Sequence, residues 1–88
     1  MLEKELVSPD IDEVITGEKR LVLFNSNHFW DDVVKQLQKA TGFDILQCEQ
    51  IAILAHTKGK AVVVSGETDK LVRINNILKE INLITKIE

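Results

Sequence analysis

Two stretches with helical periodicity stand back to back in the middle of this chain, with only Gly42, Phe43 and Asp44 between them. The first runs from about Phe29 to Thr41. Trp30, Val33, Val34, Leu37 and Ala40 or Thr41 recur at the spacing of one helical face. Asp31 and Asp32 fall in its first turn, where negative charge suits the helix dipole. Asn27 or His28 is placed to cap it and Gly42 to end it. The second stretch begins at Asp44, which makes a capping-box pattern with Gln47. Ile45, Cys48, Ala52 and Ala55 line its inward face, Ile51 and Leu54 broaden that face, and the helix stops near His56, before Gly59.

Strand signals surround this pair. Arg20 to Phe24 is short, apolar and followed by the turn-forming Asn25-Ser26-Asn27. Lys60 to Ser65 is a second strand, and its consecutive Val62, Val63 and Val64 predict that both its faces are covered. Gly66 turns the chain, and Thr68 is placed to cap a third helix from Asp69 to about Asn82, with Leu71, Ile74, Leu78 and Ile81 inward. Leu83 to Ile87 alternates and is the last strand. The order β-α-α-β-α-β is that of an α+β sandwich, a three-stranded antiparallel sheet packed by three helices, over residues 19–88. Residues 1–18 are acidic and interrupted by Pro9; they read as a flexible arm, with a short extra strand at Glu13 to Thr16 as the rival reading.

Composition removes several classes of function. Eighty-eight residues hold one domain at most. A net charge of −3, with no basic stripe and no set of stacking aromatics, gives no reason to expect nucleic acid. No apolar run approaches the roughly 18 residues of a membrane helix. The acidic N-terminus lacks a signal-peptide stretch, and the single Cys48 fits a reducing compartment, so a cytoplasmic protein is expected. Cys48 itself reads as a small buried hydrophobe. With His28 and His56 as the only histidines and no metal-ligand spacing, neither a metal nor another cofactor is expected. No nucleophile elbow, phosphate loop or dinucleotide fingerprint occurs. Asp31 and Asp32 diverge by about 100° on a helix, a poor geometry for paired acid–base work. His56 has no evident nucleophile or orienting carboxylate, so the chain is not expected to be an enzyme.

What remains is a pair of polar loops that a small fold can bring together. Asn25-Ser26-Asn27 follows the first strand, then comes Asp32-Val33-Val34-Lys35-Gln36-Leu37, then Cys48-Glu49-Gln50, then His56-Thr57-Lys58-Gly59-Lys60-Ala61, with Ser65-Gly66-Glu67 ahead of the last helix. In that order and spacing the chain resembles the Clp protease adaptor family, ClpS, from about Leu21 to Glu88. The resemblance implies an adaptor that binds destabilising N-terminal residues (N-degrons) of proteins and hands them to an AAA+ Clp unfoldase of the ClpA or ClpC type. Carried onto this chain, it places Asn25, Ser26, Asn27 and His56 around the α-amino group. It makes Trp30, Val33, Ala52 and Ala55 the lining of an apolar slot for the first side chain. It offers Lys60, Asp69 and Arg73 as the unfoldase-facing surface. Two features depart from the family: Ser26 and Asn27 replace an acidic pair, and Trp30 replaces a smaller, more flexible gate residue.

The chemistry is coherent without the family. An α-ammonium is a three-donor cation that needs fixed acceptors; an Asn oxygen and an unprotonated His nitrogen supply them. A plainer reading stands beside each residue. His56 can simply meet the last carbonyls of its helix, Asn25 to His28 can be a cap and turn, and Trp30 can be core. The alternative function is a ClpS-like interaction module that has lost N-degron binding.

Overall fold

The computed structural model describes residues 18–88. The expected N-terminal arm and its rival strand at Glu13 to Thr16 therefore fall, apart from Glu18, outside the described residues. Three strands and three helices follow in the expected order: β1 (Lys19–Phe24), α1 (Trp30–Thr41), α2 (Ile45–Lys58), β2 (Lys60–Gly66), α3 (Thr68–Leu78) and β3 (Thr85–Ile87). A 3-10 turn, Lys79–Ile81, separates α3 from β3. The sheet has the order β2-β1-β3 and both pairings are antiparallel.

β1 takes the central place because Leu21, Val22 and Leu23 are all buried. Leu21 and Leu23 enter the main core with Leu37, Leu71, Leu78 and Leu83, each at most 1% exposed. Burying a leucine of this kind stabilises by roughly 1.5–3 kcal/mol. In α1, Val34 and Leu37 are buried and Val33 packs half-buried beside them, as the periodicity predicts. In α3, Leu71, Ile74 and Leu78 do the same.

Several boundaries differ from expectation, each for a physical reason. The N-cap of α1 is Phe29, with no side-chain cap, so neither Asn27 nor His28 plays that role. The Asp44 carboxylate does accept the Gln47 amide at 2.9 Å, as its motif predicts. α2 runs on to Lys58, because the turn that ends it needs a left-handed residue and the first one available is Gly59, at φ 93°. Ile45 and Leu54, expected to face inward, are 56% and 45% exposed; the buried face is Cys48, Ile51, Ala52 and Ala55. α3 begins at Thr68 with Glu67 as its uncapped N-cap, so Thr68 is not the cap. It gives way to the 3-10 turn after Leu78, and Asn82 then turns the chain at φ 62°. β3 is correspondingly short, with Leu83 buried and Ile84 half exposed ahead of it.

β2 is an edge strand, and its triple valine is not covered on both faces. Its register against β1 slips between the pairs Leu21–Val64 and Val22–Val62, so Val63 is the extra, bulged residue. Val63 is buried, whereas Val62 is 47% exposed.

A small polar cluster locks α1 onto α3 and its 3-10 extension. Gln36 is 9% exposed and its amide donates to the Ile77 carbonyl at 2.6 Å and to the Glu80 carboxylate at 3.0 Å. Lys39 reaches the same Glu80 oxygen at 2.7 Å.

Candidate functional site

The cavity arises where the C-terminal end of β1, the first turn of α1 and the second half of α2 meet. Backbone hydrogen bonds set this junction. Phe24 N–H donates to the Ile84 carbonyl at 2.8 Å, which carries β1 past the end of its ladder with β3. Asn25 N–H donates to the Gly59 carbonyl at 3.0 Å, which ties the β1–α1 loop to the turn after α2. Gly59 is the hinge of that arrangement: nothing within 4 Å would meet an added Cβ, so only its left-handed backbone demands glycine. The single bond from Asn25 brings a loop thirty residues earlier alongside the end of the helix that carries His56.

The junction encloses a cavity of about 260 Å³. Its walls are apolar, from Leu23, Phe24, Trp30, Val33, Ala52, Ala55 and Leu83, and its polar groups come from Asn25, Ser26, His28 and His56. Pockets for drug-sized ligands begin near 300 Å³, so this one suits a single large side chain with its backbone end rather than a longer segment. Ala52 and Ala55 are buried, and their small side chains help leave the space open. Trp30 is 41% exposed and stands in the wall, which excludes the reading of Trp30 as plain core.

Seven expected site residues therefore meet in one cavity: Asn25, Ser26, Trp30, Val33, Ala52, Ala55 and His56. Asn27 does not line it and is exposed on the loop. Lys60, Asp69 and Arg73 are all exposed. Lys60 opens β2, and Asp69 and Arg73 lie in α3.

The polar groups differ in how they are committed. The side chains of Asn25 and His56 make no hydrogen bond among the described residues. Both are thus free to meet a ligand in the cavity they line. From the sequence His28 is the last residue of the polar loop after β1 and a possible cap, with no role assigned to it in the site. In the structure its Nδ1 lies 2.7 Å from Ser26 Oγ and its Nε2 2.5 Å from the Ile81 carbonyl. That partner is fifty-three positions away, so no local pattern announces it.

No carboxylate lines the cavity. The C-terminal end of α2, the negative end of its dipole, borders the cavity, since its last turn contributes Ala55 and His56 to the wall. The N-terminal end of α1 works in the opposite direction and is met by Asp31 and Asp32 in its first turn. The arrangement is a shallow apolar hole with neutral acceptors at its rim. It can seat an apolar side chain and satisfy a small cation beside it. Cys48 lies elsewhere in the core, fully buried, and burial pushes its thiol up from its ordinary value. Among the described residues there is no cluster of three or more metal-ligating side chains, and no helix is long and apolar enough to cross a membrane.

Comparison with curated proteins produced no match to this chain. Comparison with protein families matches residues 18–82 to the ATP-dependent Clp protease adaptor protein ClpS, a family of adaptors rather than of catalysts. The match covers β1 to the 3-10 turn, the elements that build the cavity. The chain belongs to the ClpS family of Clp protease adaptors.

Proposed function

We propose that this adaptor binds the free N-terminal residue of substrate proteins in the cavity at the β1–α1 junction and delivers them, in the cytoplasm, to an AAA+ Clp unfoldase of the ClpA or ClpC type. One observation carries the reading. A single cavity gathers uncommitted Asn25 and His56 side chains at an apolar hole floored by Ala52 and Ala55. An α-ammonium fits the rim because it offers only donors and the rim offers acceptors. A large apolar side chain fits the hole, where its burial is worth about 1.5–3 kcal/mol.

Peptide titration tests this directly. Fluorescent peptides beginning with Leu, Phe, Tyr or Trp should bind, and N-acetylated copies should bind at least about tenfold more weakly, because acetylation removes charge-assisted hydrogen bonds worth about 1.5–3 kcal/mol each. Equal binding by free and acetylated peptides refutes the proposal. A chain that captures the unfoldase but neither peptide is instead the interaction module that has lost N-degron binding. Lys60, Asp69 and Arg73 are our candidates for the unfoldase-facing surface, and residues 1–18 for an arm that assists delivery. Charge reversal at Lys60 or Arg73 should slow delivery and leave peptide affinity unchanged.

A further inference from the structure

The contact between Ser26 and His28 decides what Ser26 presents to the cavity. The Ile81 carbonyl can only accept, so His28 Nε2 must carry the proton in their 2.5 Å hydrogen bond. In the neutral ring Nδ1 is then an acceptor, and the 2.7 Å contact with Ser26 is donation from the Ser26 hydroxyl to Nδ1. The hydroxyl hydrogen is therefore used within the wall. What Ser26 has left for the cavity it lines is the lone pairs of its oxygen.

A free hydroxyl rotates between donating and accepting, and a donor facing an ammonium is repulsive. Locking the rotor removes the unfavourable orientation before the ligand arrives. We infer that Ser26 is a specificity-determining acceptor for the ligand's α-ammonium, and that His28, held by the Ile81 carbonyl, is the positioning residue that fixes it in the accepting state. This rests on the amine-binding reading above and deepens it. The site becomes a clamp of neutral acceptors, in which a serine oriented by a histidine stands where an acidic side chain is absent. It recognises the ammonium by the number and direction of its donors rather than by an opposing charge.

The experiment is a double-mutant cycle in peptide affinity, using a fluorescent Leu-initiated peptide with a free amine. Ser26→Ala should weaken binding roughly tenfold, the scale of one hydrogen bond to a charged group. His28→Ala should weaken it several-fold in the Ser26 background and less than about twofold in the Ser26→Ala background, because the two residues act as one unit. A carboxylate accepts in every orientation, so Ser26→Asp should restore tight binding and make it indifferent to His28→Ala. A second measurement needs no variant: the ¹⁵N shifts of His28 should report the Nε2–H tautomer with Nδ1 unprotonated. Multiplicative effects of Ser26→Ala and His28→Ala, or the Nδ1–H tautomer, overturn this inference while leaving amine binding in place. Failure of the wild-type chain to prefer the free-amine peptide overturns both.

Discussion

Ala52→Leu separates a binding cavity from ordinary core more sharply than truncation does. Ala52 is 5% exposed, lies in the buried face of α2 and lines the cavity. A leucine there adds three carbons, and a cavity of about 260 Å³ has room for them. At about 0.8 kcal/mol per buried CH₂ group, filling the hole should leave the unliganded protein as stable as before or up to about 2 kcal/mol more stable. The ligand's first side chain then loses its place and with it about 1.5–3 kcal/mol, a drop in peptide affinity of roughly 10- to 150-fold. Stability and affinity thus move in opposite directions, or affinity moves alone. Paired measurements of urea unfolding and peptide anisotropy read the two effects. A loss of 1–3 kcal/mol in stability would show overpacking and place Ala52 against filled core. Unchanged affinity in a stable variant would show that the ligand binds elsewhere. Either result refutes the argument.

Three further outcomes follow from contacts around the site. Gln36→Ala should destabilise by about 1–3 kcal/mol, because it removes the amide's hydrogen bonds to the Ile77 carbonyl and to the charged Glu80 carboxylate; thermal unfolding should fall by about 4–8 °C per kcal/mol. Gly59→Ala should cost about 1 kcal/mol or more through its left-handed backbone alone, since the space around it is open, and it should also weaken peptide binding by loosening the Asn25 tether. Lys39 and Gln36 hold the Glu80 carboxyl below its ordinary value. Its small contribution to stability is therefore present above the unfolded-state value and is lost as pH falls through the lower folded-state value. In Lys39→Met an NMR titration of Glu80 should move back toward the ordinary value, and no movement would refute the pairing.

Much of the fold can be read from local pattern because local physics determines it. The inward stripes of α1 and α3, the Asp44–Gln47 cap and the turn at Gly42 all involve residues within a few positions of one another. Local pattern alone reads Trp30, Val33, Ala52 and Ala55 as inward helix faces; that they surround an open space follows from the resemblance to the family, and in the structure all four line the cavity. Features set by distant partners were not legible. Gln36 sits on a helix that reads as polar at that position, and its partner at Ile77 is forty-one positions away in sequence. His28 looked like a cap and is instead tied to Ile81. The exposed Val62 follows from an edge position and a bulge, which three successive valines cannot reveal. The early end of α3 follows from the return of the chain through Asn82 and Leu83 to pair with β1, where Thr85 hydrogen-bonds Asn75 across the turn.

The central claim is that a substrate's first side chain enters the hole between α1 and α2 while its amine stays at the rim. Intermolecular NOEs in a complex with a Leu-initiated peptide test it most directly, with methyl labels on Ala52, Ala55 and Val33 of the adaptor. Contacts from the peptide's first leucine methyls to the Ala52 and Ala55 methyls, absent with the acetylated peptide, are the predicted result. Contacts confined to α3 or the outer face of β2 would contradict it.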